Sequence, residues 1–336
     1  MKSRYSKKTF HFKRPSGTSR GVLSEKHAWF IEVWNEGDSS IIGLGECSII
    51  PGLSPDFVDF ESYEAQVKRT CEDLTLDLEA WPSIKFGLET ALLDLKNGGK
   101  GIIFDNEFAH GKKTIPINGL IWMGEPTFMQ EQIEEKLAEG FKTIKLKIGA
   151  IDFEAEIELL KSIRKRYSKD EITLRVDANG AFSPNEAIEK LTRLAELDIH
   201  SIEQPIRQGQ FSEMKELCRV TPIPIALDEE LIGINRTEEK IEILDIIQPQ
   251  YIILKPSLHG GIEGTKEWIL LAEERGIPWW ITSALESNIG LNAICQLTAE
   301  YQNDLPQGLG TGSLYVDNIP SNLRVRKGTI SLTDVE

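Results

Sequence analysis

The sequence predicts a mixed α/β protein: a modified (β/α) TIM-type barrel with an α+β capping domain. The first observation is that short apolar runs alternate with amphipathic helical stretches from Ile115 onward, which is typical of a parallel sheet with its helices outside. The second is that earlier segments alternate with the two-residue period of antiparallel strands. The third is the length of 336 residues, because single cores stop growing at about 250–300 residues.

Residues 1–110 form the predicted capping domain. Its predicted strands and helices are, in order, 9–12, 28–34, 41–46, 57–78 and 84–95. The stretch 14–21 between the first two strands is rich in turn-forming residues and is predicted to be a loop. Its residues 16–20, together with the 51–54 loop, are expected to close over an active site.

Residues 111–311 form the predicted catalytic barrel. The predicted strands are 115–121, 143–148, 172–176, 200–202, 224–227, 250–254 and 279–282, with 307–309 as a shorter eighth candidate. The predicted helices between them are 127–139, 152–167, 184–196, 211–219, 237–244, 263–275 and 289–301. The tail 312–336 is expected to complete the capping domain, with 322–326 and 329–332 as a strand pair that returns to the N-terminal sheet.

The charge balance excludes one class of partner. Lys and Arg number 38 against 53 Asp and Glu, a net charge of −15, whereas nucleic-acid binding needs a cationic face.

No apolar run approaches the roughly 20 residues of a membrane span, and no apolar segment follows the basic N-terminus. The four cysteines and five histidines show no zinc-like spacing. We therefore expect a cytoplasmic protein with a small-molecule substrate; the oligomeric state stays undetermined.

A charged or hydroxyl side chain stands at the end of six successive predicted strands, and neighbouring positions lie 25 to 30 residues apart. This spacing equals about one strand–helix repeat. The six residues are Lys147, Asp177, Glu203, Asp228, Lys255 and Ser283. Because the carboxyl ends of barrel strands converge on one face, we expect these side chains to share one active site.

Three of these residues are carboxylates, and they predict a metal site. Asp177, Glu203 and Asp228 on adjacent strands would repel one another and be costly to bury unless a cation neutralised them. Mg²⁺ takes oxygen ligands and leaves positions for substrate oxygens, with Mn²⁺ as a substitute, whereas Zn²⁺ usually brings His or Cys. The sequence therefore predicts a magnesium site.

Two lysines flank the predicted metal and indicate proton transfer. Lys147 and Lys255 would be ammonium groups near a dication, which lowers the pKa of a lysine towards the range of a general base. A metal that binds a carboxylate and a lysine that removes the proton α to it together stabilise an enediolate. Lys145 points the same way as Lys147 along its strand.

At these residues the chain resembles the muconate-lactonizing branch of the enolase superfamily. The motifs that carry the resemblance are Lys145-Leu146-Lys147, Asp177-Ala178-Asn179, Glu203-Gln204-Pro205, Asp228-Glu229 and Lys255-Pro256. The resemblance implies that Lys147 is the base, Asp177, Glu203 and Asp228 bind the metal, and the N-terminal region covers the barrel mouth. Gln204 stands where the family often has a second acidic residue, which leaves the ligand at Glu203 unchanged.

Further segments resemble dehydratases of that branch; they are 45–54, 117–122, 283–291 and 308–312. The resemblance implies a metal-assisted syn dehydration of a succinyl-hydroxycyclohexadiene carboxylate, a step of menaquinone biosynthesis, through an enediolate. Lys255 would then be a fixed charge against the ring. The candidate substrate contacts are Lys145, Asn179, Ser283, Gly308, Gly310 and Thr311.

Three alternatives stay open. Two lysines on opposite faces also suit a racemase of N-acylamino acids or a dipeptide epimerase. Dipeptide epimerases typically carry Asp-x-Asp after the sixth strand, where this chain has Lys255-Pro256-Ser257-Leu258-His259, which favours the dehydratase. Lys255 would form a Schiff base in an aldolase-type barrel, which predicts metal independence. A non-catalytic barrel would be expected to have lost a ligand or a lysine.

Overall fold

The structure is a computed structural model that describes residues 1–18 and 21–333. Its N-terminal part is an antiparallel sheet in the order β1 (Lys2–Thr18), β2 (Gly21–Asn35) and β3 (Asp38–Ser48). Helices α1 (Phe60–Glu72) and α2 (Pro82–Lys96) follow. Their contact with the sheet buries a core that comprises Trp29, Ile31, Val33, Cys47, Ile49, Tyr63, Val67, Leu78, Ile84, Leu88 and Ala91. The predicted strands and helices of this region are present, but the helix predicted over 57–78 is shorter, from Phe60 to Glu72.

The loop predicted at 14–21 is wrong for the residues that the structure describes. Strand β1 continues to Thr18 and pairs with β2, where Ser16 faces Leu23 and Thr18 faces Gly21. The pairing register shifts between His11 and Ser16. A register shift of this kind accommodates turn-forming residues within a ladder, so the turn signal marks an irregularity and not a loop. Residues 19 and 20 lie outside the described residues.

Glycines allow α2 to approach β3 closely. A Cβ at Gly45 would lie 1.8 Å from the backbone O of Gly87, and one at Gly43 would lie 2.0 Å from the O of Ala91. Neither distance is sterically allowed, so this contact depends on the absence of side chains at both positions.

The barrel is a seven-stranded parallel sheet. Its strands are β5 (Gly119–Ile121), β6 (Thr143–Lys147), β7 (Thr173–Asp177), β8 (Ile199–Glu203), β9 (Ile225–Leu227), β10 (Tyr251–Leu254) and β11 (Trp279–Ile281). The helices outside them are α3 (Pro126–Ala138), α4 (Phe153–Arg164), α5 (Pro184–Ala195), α6 (Phe211–Val220), α7 (Thr237–Ile247), α8 (Gly261–Glu273) and α9 (Asn288–Ala299). Within 1–18 and 21–333, no helix combines the length and apolarity needed to cross a membrane.

Residues 307 and 308 take the eighth position around the barrel. Gln307 bridges Ile117 and Gly308 bridges Thr282, both in parallel orientation. Gly308 N donates to Ile281 O at 2.8 Å, and Gln307 N donates to Pro116 O at 2.8 Å. The predicted short strand at 307–309 is therefore two isolated bridges that link the two edges of the sheet.

The C-terminal tail divides between two partners. Tyr315 bridges Phe12 of β1, so this part joins the N-terminal sheet. The following hairpin, β12 (Leu323–Arg326) and β13 (Thr329–Leu332), pairs instead with β4 (Ile115–Pro116). The strand pair is thus confirmed, but its predicted return to the N-terminal sheet is wrong. The pairing binds backbone groups along the edge of β4, and Ile330 of β13 is buried in the barrel core.

Two carboxylates from the N-terminal region cap helices of the barrel. Glu46 accepts hydrogen bonds from Ser287 N at 2.8 Å and Gly290 N at 2.9 Å, at the start of α9. Glu89 accepts one from Ile262 N at 2.5 Å, at the start of α8. Negative charge stabilises the N-terminal end of a helix, where backbone N–H groups lack partners. The division at residues 110 and 311 stays a prediction.

Candidate active site

A cavity of about 890 Å³ opens at the carboxyl ends of the barrel strands. In the sheet, Asp177 pairs with both Lys147 and Glu203, so these strand ends lie side by side. The wall includes ten of the predicted site residues, namely Lys145, Lys147, Asp177, Asn179, Asp228, Lys255, Ser283, Gly308, Gly310 and Thr311. Glu203 is fully buried and does not reach the wall.

Lys145 connects two of the carboxylates. Its Nζ donates to Glu203 Oε2 at 2.5 Å and to Asp177 Oδ2 at 3.2 Å. One ammonium nitrogen therefore lies between oxygens from two adjacent strands. Lys145 is itself largely buried, and a buried ammonium needs such partners because desolvation is costly.

Lys147 is held by a second pair of oxygens. Its Nζ donates to Asn179 Oδ1 at 2.7 Å and to Asp177 Oδ2 at 3.0 Å. The Asn179 amide in turn donates from Nδ2 to Glu229 Oε1 at 2.9 Å. Asn179 has a positive φ of 45°, a conformation that asparagine tolerates better than most residues. Four side chains thus form one hydrogen-bonded chain.

Lys255 reaches the cavity from the opposite side of the carboxylates. Its Nζ lies 2.5 Å from Asp228 Oδ1 and 2.6 Å from Oδ2. The Lys255 side chain is 11% exposed and that of Asp228 is 2% exposed, so this ion pair is shielded from solvent. Charged hydrogen bonds of this kind are strong in a buried site.

These pairings set the direction of several pKa values. Burial lowers the pKa of Lys145, but Glu203 and Asp177 raise it more, so it lies above its ordinary value. The pKa of Lys255 is raised in the same way by Asp228 and Glu229. Burial raises the pKa of Glu203 to about 7. The lowering that we predict for active-site lysines depends on a bound cation, which would neutralise these carboxylates.

Within residues 1–18 and 21–333, no three side chains of His, Cys, Asp or Glu converge closely enough to hold a metal ion. Each of Asp177, Glu203 and Asp228 is paired with a lysine instead. The donors still fit a hard divalent cation, because all are buried carboxylate oxygens. Glu203 Oε1 is buried without a hydrogen-bond partner. The ammonium group of Lys145 already places one positive charge between two of these carboxylates, Asp177 and Glu203.

Another part of the cavity wall carries hydroxyl and backbone groups. Ser283 Oγ lies 2.6 Å from Thr311 Oγ1. Gly308 has no room for a side chain, since a Cβ would lie 2.2 Å from Thr282 Oγ1. Leu53, from the predicted 51–54 loop, also lines the cavity. The predicted closing movement of that loop and of residues 16–20 stays a prediction.

Glu229 is a site residue that the sequence pattern did not predict. Glu229 lines the cavity, is 4% exposed and has a buried Oε2 without a partner. Its position directly after Asp228 at a strand end was the available signal. The wall residues Asn118, Trp122 and Leu285 were also missed, because they come from loops whose path the sequence does not reveal.

Residues 128–335 match the family model for the enolase C-terminal domain-like fold, and the chain belongs to the enolase superfamily. The predicted fold class is thereby confirmed. Members of this superfamily use a divalent metal ion.

The chain is 49% identical to the o-succinylbenzoate synthase of Desulfotalea psychrophila, with 99% of each chain covered. The crystal structure of MenC from the same organism superposes with a TM-score of 0.83 at 45% identity and 99% coverage of each chain. An L-Ala-D/L-Glu epimerase of Bacillus subtilis is more distant, at 26% identity over 79% of this chain and 76% of its own length.

Proposed function

We propose that this chain is an o-succinylbenzoate synthase. It dehydrates 2-succinyl-6-hydroxy-2,4-cyclohexadiene-1-carboxylate to o-succinylbenzoate in menaquinone biosynthesis. The observation that carries the proposal is 49% identity over 99% of both chains to an enzyme of that name. Relatives with epimerase activity are more distant. The protein would act in the cytoplasm on a small carboxylate, without a nucleic-acid partner, in keeping with its net charge of −15.

The metal would be held by Asp177, Glu203 and Asp228. Mg²⁺ suits this all-oxygen donor set, with Mn²⁺ as a substitute. When bound, the cation supplies positive charge that stabilises the negative charge developing on the substrate carboxylate. Lys145 would then be displaced from one or both of its carboxylates and would bind the substrate from the metal side of the cavity.

Lys147 would act as the base and then as the acid. As a neutral amine, its Nζ removes the proton α to the substrate carboxylate, which leaves an enediolate. The same Nζ then returns that proton to the departing hydroxyl group on the same face, so that water leaves and the ring becomes aromatic. Asn179 Oδ1 and Asp177 Oδ2, at 2.7 and 3.0 Å from this nitrogen, support the orientation that the transfer needs.

Lys255 would stay protonated and act as a fixed positive charge. Both carboxylate oxygens of Asp228 lie within hydrogen-bond distance of its Nζ in the structure, and a bound metal ion would take at least one of them. A cation over the face of the ring stabilises the ring as negative charge develops. Ser283, Thr311 and the backbone of Gly310 would bind the succinyl carboxylate. The predicted contact at Gly308 would be limited to the cavity wall, because its N–H already donates to Ile281 O. These groups lie on the cavity wall and include the hydroxyl donors that a carboxylate accepts from.

The experiment that tests the proposal follows the diene absorbance of the substrate in the presence of Mg²⁺. The wild-type enzyme should remove the absorbance and form o-succinylbenzoate, while folded Lys147→Ala should not. An unchanged absorbance with the wild-type enzyme would contradict the proposal.

A racemase or epimerase activity is the second candidate, favoured by the placement of Lys147 and Lys255 on different sides of the carboxylates. Solvent-deuterium exchange into N-succinyl amino acids tests it, and exchange without dehydration would reverse the ranking. A Schiff-base reaction at Lys255 predicts full activity after metal removal and trapping of a carbonyl substrate by borohydride.

A further inference from the structure

His259 contacts the backbone of Lys255. The proposed mechanism gives His259 no role. Its side chain is fully buried and packs edge-on against Trp268, with 6.4 Å between ring centroids. Burial, together with the charges of Lys255 and Lys240, holds the pKa of His259 well below its ordinary value. The imidazole is therefore neutral, and one of its two nitrogens is free to accept a hydrogen bond.

The hydrogen-bond acceptor is Nδ1. Lys255 N donates to it at 2.8 Å, which assigns the proton of the neutral ring to Nε2, a buried atom that has no hydrogen-bond partner among the described residues. In the other direction, Lys255 O accepts hydrogen bonds from Leu258 N at 2.8 Å and from His259 N at 3.0 Å. Both backbone polar groups of Lys255 are thus bound within a single turn that ends at His259.

This turn supplies the backbone hydrogen bonds of Lys255 directly after strand β10, where the hydrogen bonds of the sheet end. Strand β10 ends at Leu254, whose O accepts from Thr282 N at 2.8 Å. Lys255 is the next residue, and its partly buried N–H would lose its acceptor if the imidazole were absent. A buried N–H without a partner is unfavourable, so the chain would shift to satisfy it and would carry the Lys255 side chain with it.

We infer that His259 is a positioning residue, which holds the backbone of Lys255 so that its ammonium stays fixed at the active site. The inference rests on the proposed function only for the kinetic consequence, because the hydrogen bond itself needs no substrate. A displacement of about 1 Å in a catalytic group lowers turnover by up to roughly 100-fold. Binding of the substrate through other groups would be largely unaffected.

Two variants separate positioning from packing. His259→Asn keeps an acceptor, because its Oδ1 occupies the place of Nδ1, but it leaves a void. His259→Leu fills the volume but has no acceptor. We expect His259→Asn to have the lower melting temperature and yet to keep kcat within about threefold of wild type. We expect His259→Leu to lose about tenfold or more in kcat, with KM nearly unchanged. A purely structural role predicts that kcat follows melting temperature in both.

A second measurement does not depend on the substrate. Reductive methylation of each protein in the presence of Mg²⁺, followed by peptide mass spectrometry, gives the reaction rate of Lys255, with Lys147 as the internal reference. Lys255 should react faster in His259→Leu alone. If the wild-type enzyme does not dehydrate the diene, the proposed function fails. The methylation rate of Lys255 then tests the positioning role of His259 by itself. Equal Lys255 rates in the three proteins, or kcat values that follow melting temperature, would overturn it.

Discussion

Glu229 Oε1 accepts a hydrogen bond from Asn179 Nδ2 at 2.9 Å. A carboxylate only accepts hydrogen bonds, so this contact fixes which end of the Asn179 amide faces Glu229. The amide oxygen is consequently turned towards Lys147, which donates to it at 2.7 Å. Glu229 therefore orients the proposed base through one intermediate side chain.

Replacing Glu229 by Gln should lower kcat about tenfold, because a glutamine amide also donates from its Nε2. It bonds either end of the Asn179 amide, so Asn179 is no longer held in one orientation. Steady-state dehydration kinetics measure the change. Glu230→Gln is the matched control, since Glu230 bonds Gln204 and Gly209 instead. Equal kcat for wild type and Glu229→Gln would contradict the orienting role.

Metal removal should abolish activity, and added Mg²⁺ should restore it. Binding to the folded state also stabilises it, by about 2.7 kcal/mol at 100 times the dissociation constant, so Mg²⁺ should raise the melting temperature. Glu203→Gln should lose this shift, because a ligand charge is missing. The exposed Glu196→Gln, with Glu196 on the surface, should keep it. Full activity in excess EDTA would exclude the metal requirement.

Gly45→Ala should lower the free energy of unfolding by about 3 kcal/mol or more, because overpacking against helix α2 forces the sheet and helix apart. The added Cβ would lie 1.8 Å from Gly87 O. Urea unfolding measures the loss. Gly37→Ala is the control, as a Cβ there meets nothing within 4 Å. Equal stability of the two variants would refute the close contact between β3 and α2.

Glu89 should make stability fall as pH rises. Burial raises its pKa from 4.5 to about 7, against the opposing effects of Lys85 and of the Ile262 N–H. The folded state therefore favours the protonated carboxyl, so this contribution is present below pH 4.5 and is lost as pH rises through 7. The size is about 3 kcal/mol at most, from 1.36 kcal/mol per unit.

Glu89→Gln should reduce the slope of unfolding free energy between about pH 4.5 and 7, measured by urea unfolding at each pH. The slope would not vanish, because burial also raises the pKa of Glu156 to about 7. An unchanged slope in the variant would show that Glu89 does not titrate in this range.

The repeat spacing alone predicted that residues such as Asp177 and Lys255 meet on one face. This follows from the geometry of parallel strands, whose carboxyl ends share one edge of the sheet whatever the loops do. The structure brings them to one cavity. The roles of metal ligand, base and fixed cation remain proposals, because each of them requires a bound metal ion or substrate.

The sequence by itself determined the βα alternation, the strand-end residues and the presence of a C-terminal strand pair, since each depends on local periodicity. Only the tertiary structure decided which lysine pairs with which carboxylate, that Glu229 joins the site, and that Ile330 packs beside Ile115 and not on the N-terminal sheet. Those outcomes depend on contacts between residues far apart in the chain. The local sequence pattern does not determine which strand edge a segment pairs with or which opposite charge a side chain contacts.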